Sequence, residues 1–178
     1  MKNAQWDAIH IVNTGTTTAS IQLTCGSQIS DSLTLGQGAA TYRIYSGKSC
    51  GPIRIVSDQL IWVTQRIIGW GGWKEVFGVP TTLATTDWYF TWYDMKGASW
   101  NAIHVINPGA TDATVQIYVG GVLKDTIAVS AGQAANVNYP SLMAGPVGVV
   151  STVPIMSSQR ILGWGSFEEC VGASLATG

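Results

Sequence analysis

The chain has 178 residues, of which 46% are hydrophobic and 11% are charged, and its formal net charge is -1. So few basic residues argue against a nucleic-acid partner, which needs Lys and Arg to neutralise phosphates. No apolar run approaches the roughly 18 residues of a membrane-spanning helix, so we expect no membrane insertion. The first ten residues contain no signal-peptide core. We therefore expect either that a leader has been removed or that the sequence belongs to a longer protein.

The sequence repeats itself with a shift of 94 residues. Residues 6–23, WDAIHIVNTGTTTASIQL, return at 100–117 as WNAIHVINPGATDATVQI, and the match continues without net insertion. Repetition at a fixed period indicates successive copies of one structural unit. The chain is therefore predicted to contain two domains, 1–84 and 85–178.

Apolar and polar residues alternate with a period of two in short runs, whereas no stretch keeps the 3.6-residue period of a helix through ten residues. In the first unit this pattern predicts strands at 6–13, 18–24, 28–35, 39–45, 52–57, 60–68 and 73–77. Turns rich in Gly, Asn and Ser separate them, and the second unit repeats the series. The predicted fold is all-β, with two tandem immunoglobulin-like β-sandwich units of about 7–8 strands each.

The leading strand of each unit carries one histidine. His10 should share a strand face with Trp6, and His104 with Trp100, because side chains two residues apart point the same way. No second histidine or cluster of carboxylates accompanies either one, so we predict a structural or surface histidine and no metal site.

Two of the three cysteines lie in the first unit. Cys25 ends a predicted strand and Cys50 precedes the Gly51-Pro52 turn, so a disulfide between them is geometrically plausible. It would stabilise the unit by roughly 3 kcal/mol if it closes a loop of about 25 residues. The second copy has Val119 and Ala144 at these positions, so the bridge is an addition to the fold.

A tight hairpin near the end of each unit places opposite charges across two strands. With the turn centred between Trp70 and Gly71, Arg66 faces Glu75, and Arg160 faces Glu169 in the second copy. Such a cross-strand pair contributes about 0.2–1 kcal/mol and helps to set the register. The structural interpretation is favoured over a ligand site at the Gln-Arg dipeptides.

Between the repeats lies an aromatic segment that the first copy lacks, since Met95 aligns with Met1. Its residues are the candidates for an assembly interface: Asp87, Trp88, Tyr89, Phe90, Thr91, Trp92, Tyr93 and Asp94. A sandwich that lacks one strand exposes an unpaired edge, which invites pairing with another chain. Both faces of the segment are aromatic or β-branched, so the alternatives of interface and core stay open.

Four of the eight tryptophans have no Trp at the equivalent position of the other copy. These candidates for stacking on a ligand are Trp62, Trp73, Trp88 and Trp92. Exposed indoles bind sugar faces or anchor protein contacts.

The second unit contains, in order, WYFTWYD, an Asn-Pro-Gly turn followed by ATVQI, GPVGVVS, and SQRILGWGSFEECVG. These motifs carry a resemblance to a repeat of extracellular proteins from actinobacteria and Chloroflexota, and it covers 88–172. It extends to 6–78 with Thr14 in place of the Pro and Thr64 in place of the Ser. It implies a secreted or cell-surface β-sandwich module used in arrays as a stalk, adhesin or assembly unit, and it brings no catalytic residues.

The sequence contains no nucleophile elbow, phosphate loop or cluster of metal ligands, so we expect neither an enzyme nor a cofactor. The favoured hypothesis is an extracellular structural protein that associates with copies of itself through strand or edge pairing. Two alternatives stay open. One is a carbohydrate-binding module that uses exposed Trp and Tyr against a surface polysaccharide, and the other is a passive spacer of a larger surface protein.

Overall fold

The computed structural model describes residues 4–174 and is all-β apart from one short 3-10 turn at Thr81–Leu83. It divides into two compact units between Gly78 and Val79, six residues before the predicted boundary. Within the described part of the chain, no helix is long and apolar enough to cross a membrane.

The first unit contains seven strands in two sheets. They are β1 (Trp6–Asn13), β2 (Ala19–Cys25), β3 (Ile29–Leu35), β4 (Ala40–Ile44), β5 (Arg54–Ser57), β6 (Ile61–Gly69) and β7 (Gly72–Phe77). One sheet has the order β4-β1-β6-β7 and the other β3-β2-β5. The core contains Ile9 and Ile11 from β1, Ile21 and Leu23 from β2, and Leu35 from β3. The strands predicted for this unit are confirmed to within two residues at each end.

The second unit repeats this series, adds two strands before it and adds one short strand, β14, within it. They are β8 (Thr85–Phe90), β9 (Tyr93–Asp94), β10 (Trp100–Ile106), β11 (Ala113–Val119), β12 (Val122–Val129), β13 (Ala134–Val137), β14 (Met143–Ala144), β15 (Val147–Gly163) and β16 (Ser166–Val171). Strand β15 is continuous where the first unit has β5 and β6. Its first part pairs with β11 and β8, and its second part with β10 and β16.

The strand register recurs with the same shift of 94 residues. Trp6 pairs with Ile68 between β1 and β6, and Trp100 pairs with Leu162 between β10 and β15. The alternation of side chains along β1 buries Ile9 and Ile11 and leaves His10 on the opposite face, as predicted. The His10 ring lies edge-on to Trp6 with 5.9 Å between centroids, and the pair recurs in the second unit at the same distance.

A buried asparagine explains the repeated Asn-X-Gly turn. Asn13 is 0% exposed, and its amide donates to the carbonyls of Thr17 and Leu35 at 2.7 and 2.8 Å. Its Oδ1 accepts the N–H of Gly15 at 2.9 Å. Asn107 repeats these contacts in the second unit. Since every polar atom of the buried amide is bonded, this side chain links the turn to β3 without leaving an uncompensated group.

The hairpin between β6 and β7 has the two-residue turn that the sequence predicts. Trp70 and Gly71 both have positive φ, 50° and 82°, which matches the twist of the flanking strands. Trp164 and Gly165 repeat these values at 51° and 74°. The turn therefore sets Arg66 directly opposite Glu75.

Candidate functional site

The first half of the aromatic segment forms part of the second unit. Strand β8 pairs with β15, with Trp88 opposite Val149 and Phe90 opposite Val147. Trp88 is 4% exposed and its indole N–H donates to the carbonyl of Ile155 at 2.8 Å. The sequence left open whether this segment lies in an interface or in the core. Trp88 and Phe90 lie in the core of the second unit.

The second half of the segment inserts a tyrosine into the same unit. Tyr93 is 0% exposed, and its hydroxyl donates to the carbonyl of Asn101 at 2.8 Å and accepts the N–H of Tyr139 at 2.7 Å. Burial raises the pKa of the Tyr93 phenol. The carbonyl of Trp92 accepts a bond from Gln159 at 2.9 Å.

These contacts bear on the residues predicted to form an interface or to stack on a ligand. Trp88, Phe90 and Tyr93 are buried, so their side chains cannot meet another chain or a sugar while the second unit is folded. Thr91 and Trp92 remain exposed, the latter at 51%, while Asp87, Tyr89 and Asp94 are half-buried. The segment was predicted to form one continuous strand. Instead, Thr91 and Trp92 interrupt it, so that β8 ends before them and β9 begins after them.

The first unit has no counterpart of Tyr93 among its described residues, and other contacts hold the corresponding backbone segments together. The N–H of Tyr45, the counterpart of Tyr139, donates directly to the carbonyl of Asp7 at 2.8 Å, with no tyrosine hydroxyl between them. Cys25 and Cys50 form a disulfide with 5.7 Å between their Cα atoms. Cys50 is the counterpart of Ala144, which pairs with Tyr93 in the second unit. The disulfide therefore secures the segment that β9 secures in the second unit.

Strand β5 has a neighbour on one side only among residues 4–174. The N–H of Asp58 points to β2, where it meets the carbonyl of Ser20 at 3.4 Å. Because backbone groups alternate in an antiparallel pair, those of Val56 also face β2, and those of Ile55 face away from it. The counterpart of Ile55 is Val149, whose outer side is paired with β8.

The missing neighbour has a measurable effect on burial. Val147 and Val149 are both 0% exposed under β8, whereas Ile53 and Ile55 are half-buried. A Cβ atom built on Gly145 would collide with the carbonyl of Thr91 and the ring of Trp92. The same atom built on its counterpart Gly51 has no neighbour within 4 Å in the described structure. The first unit thus has open space along β5 where the second unit holds the aromatic segment.

A second surface lies on the outer face of the sheet β4-β1-β6-β7. Trp62, Trp73 and Phe77 are 63%, 64% and 62% exposed. Trp62 and Phe77 meet edge to face with 6.2 Å between ring centroids. An open depression of about 570 Å³ has Thr64, Trp73, Lys74, Glu75 and Phe77 in its lining. The sequence analysis missed Phe77, although its spacing of four residues from Trp73 on one strand places both rings on the same face.

The predicted ion pairs lie on these outer faces. The guanidinium of Arg66 donates to Glu75 from Nε at 3.1 Å and from Nη2 at 2.6 Å. The Thr64 hydroxyl donates to the same carboxylate, and this bond, followed by those from Arg66, lowers the pKa of Glu75. Arg160 and Glu169 form the equivalent pair. Both pairs join neighbouring strands, in keeping with a structural role.

The histidine beside the second pair predicts a pH dependence of stability. Burial, reinforced by the charge of Arg160 and opposed by that of Glu169, lowers the pKa of His104 to about 4. The unfolded chain titrates near 6.5, so between these values it binds a proton that the folded chain does not. Stability should therefore fall by roughly 2–3 kcal/mol as the pH drops from about 6.5 to 4, and this contribution should level off below 4.

Urea unfolding of the wild type and of His104→Asn between pH 7 and pH 4 measures this contribution. The substitution should flatten the profile in that window, while the titration of the carboxylates remains common to both proteins. Parallel profiles would contradict the assignment.

Comparison with known proteins does not identify a family for this chain. No family model and no curated protein matches the chain. Among solved structures, the ligand-free form of a lectin from Pleurotus ostreatus aligns with 93% of this chain and 70% of its own, at 12% identity and a TM-score of 0.23. A TM-score of that size does not establish a common fold.

Proposed function

We propose that the protein is a non-enzymatic, extracellular structural module of two tandem immunoglobulin-like sandwich units that self-associates through the free edge of β5. The observation that carries this proposal is the difference in burial between the two units. Strand β8 covers Val147 and Val149 completely, whereas Ile53, just before β5, and Ile55 on β5 stay half-buried. The outer backbone groups of β5 have no strand partner among residues 4–174. A sheet edge of this kind is a template for pairing with another strand.

The partner in this proposal is β5 of a second copy, running antiparallel. Its own aromatic segment is committed to the second unit, and removing β8 would expose the core around Trp88. Pairing of β5 with β5 disturbs neither fold and forms a two-fold interface in which each copy presents the same surface. With the axis at Ile55, Arg54 lies opposite Val56 of the second copy, so no like charges face each other.

Two features support the extracellular location. The disulfide between Cys25 and Cys50 is typical of proteins that fold in an oxidising compartment. The resemblance of 88–172 to repeats of bacterial surface proteins points the same way. Cell-surface adhesion and filament formation would need further interfaces besides β5.

The experiment compares two substitutions at one residue. Ile55→Pro and Ile55→Ala both remove side-chain packing, but the proline also removes the N–H that points away from β2. We expect a concentration-dependent dimer for the wild type and for Ile55→Ala in sedimentation velocity. Ile55→Pro should weaken the dimer about tenfold or more, because strand addition depends on backbone hydrogen bonds.

Two results of the sedimentation experiment would contradict self-association through β5. A wild type that remains monomeric at all concentrations would overturn the proposal and favour the passive spacer. A dimer that tolerates the proline equally well would place the contact on another surface. Carbohydrate binding, the other alternative, depends on the exposed rings of Trp62 and Trp73 and not on β5.

A further inference from the structure

The outer face of the first unit carries more exposed aromatic area than its fold requires. The counterparts of Trp62 and Phe77 in the second unit are Met156 and Val171, and the same strand register forms there without the rings. Trp62 and Phe77 are 63% and 62% exposed, so they contribute little to the core of their own unit. A framework role does not account for these rings.

Polar groups separate the rings in a regular order. Across β6 and β7, Ile68 pairs with Trp73, Arg66 with Glu75, and Thr64 with Phe77. Trp73 therefore lies at one end of a polar strip, and Phe77 lies at the other end with Trp62 beside it. The strip contains the Thr64 hydroxyl, the Glu75 carboxylate and the guanidinium of Arg66.

Lys74 also lines the depression, but alternation along β7 directs its side chain to the face opposite Trp73 and Glu75. The electrostatics of the strip itself favour an uncharged ligand. Arg66 and Glu75 neutralise each other through two hydrogen bonds. The guanidinium also lies 6.0 Å from the centroid of the Trp73 ring, which holds the indole beside the polar strip. Arg66 has donors on Nη1 that the bonds from Nε and Nη2 to Glu75 do not use.

We propose that this face binds a neutral glycan. Pyranose rings present apolar C–H faces to Trp73 at one end and to Trp62 and Phe77 at the other. The hydroxyl groups between them bond to Thr64, Glu75 and Arg66 in the open depression. A flat, open face of this type suits an extended polysaccharide better than a small molecule, which a closed pocket would enclose. This inference does not depend on self-association at β5.

The test uses three neutral probes, cellohexaose, chitohexaose and laminarihexaose, with polygalacturonate as the anionic comparison. We expect at least one neutral probe to quench the tryptophan fluorescence of the full chain and to bind in titration calorimetry. Trp73→Ala should weaken that binding about tenfold or more, and Trp73→Phe, which restores a ring, should recover part of it. Trp92→Ala removes an exposed indole from the second unit and should leave the affinity unchanged.

Other outcomes overturn the proposal. No binding of any neutral probe, binding of polygalacturonate alone, or equal affinity in the wild type and Trp73→Ala would each do so. If Trp62→Ala or Trp73→Ala instead abolishes dimer formation without any glycan binding, the face is a contact between copies. Ile55→Pro provides the link to the other proposal, because it should change the dimer and leave glycan affinity intact.

Discussion

Replacing Trp88 by Ala should destabilise the second unit by about 3–5 kcal/mol, the usual cost of removing a large aromatic side chain from a packed core. The indole is 4% exposed and lies in the same core as Val149 and Ile155. Its N–H is also bonded to the carbonyl of Ile155, which is itself fully buried. The substitution therefore leaves both a cavity and an unsatisfied acceptor, and the two costs act together.

Urea unfolding combined with amide hydrogen exchange measures this effect unit by unit. Exchange should accelerate in β10, β11 and β15, while amides of β1, β2 and β6 keep their protection. Trp92→Ala is the matched control, because its ring is 51% exposed, and it should cost about 1 kcal/mol or less. Equal effects of the two substitutions would contradict the burial of β8 in the second unit.

Because Trp88, Phe90 and Tyr93 are buried in the second unit, we expect that their side chains do not form the joint between copies. Deletion of residues 87–94 should therefore unfold the second unit, and any loss of assembly would follow from that. A deletion variant that stays folded and still assembles would argue against the placement of the segment described above. This is why the proposed contact uses β5, whose outer edge has no neighbouring strand among residues 4–174.

Much of the fold could be predicted because the repeat checks every strand assignment twice. Alternation along 6–13 and again along 100–106 has one consistent interpretation, a half-buried strand with His10 or His104 on the outer face. The facing of Arg66 and Glu75 followed from the turn at Trp70 and Gly71, since a two-residue turn leaves one possible register.

The placement of the aromatic segment could not be predicted by the same reasoning. In WYFTWYD both faces are aromatic or β-branched, so alternation does not distinguish a buried face from an exposed one. What decides the matter is tertiary. Phe90 and Trp88 lie against β15, and Tyr93 is held inside by two backbone partners, Asn101 and Tyr139. Neither partner is adjacent to the segment in sequence, so the local residue pattern does not predict these contacts.

The sequence predicted that the first unit has an unpaired strand edge, but it did not predict that this edge belongs to β5. The missing counterpart of residues 87–94 indicated that the first unit lacks a strand, whereas the pairing of β8 with the first part of β15 shows which edge is affected. The sequence also contained no sign that the disulfide and the bond from Tyr45 to Asp7 replace part of what the missing segment would contribute.

This replacement gives the disulfide a larger role than a cross-link in an already complete fold. In the second unit, Ala144 is held by pairing with Tyr93, whose hydroxyl is bonded on both sides. In the first unit, Cys50 has no such strand beside it in the described structure, and its link to Cys25 limits the freedom of the segment that follows Tyr45. Cys25 itself is 1% exposed, so one end of the link lies in the core.

Replacing Cys25 and Cys50 by the Val and Ala of the second copy should accordingly lower the stability of the first unit by about 3 kcal/mol, the chain-entropy value for a loop of this size. The sequence separation is 25 residues, and the substituted side chains fit the same fold in the second unit. Thermal unfolding with and without reducing agent separates the cross-link from side-chain packing. Reduction should destabilise the wild type and leave the double variant unaffected, and Cys170→Ser, which retains the disulfide, should behave as the wild type. If reduction leaves the wild type unchanged, the cross-link does not limit the unfolded chain, and the segment that follows Tyr45 is stabilised by packing alone.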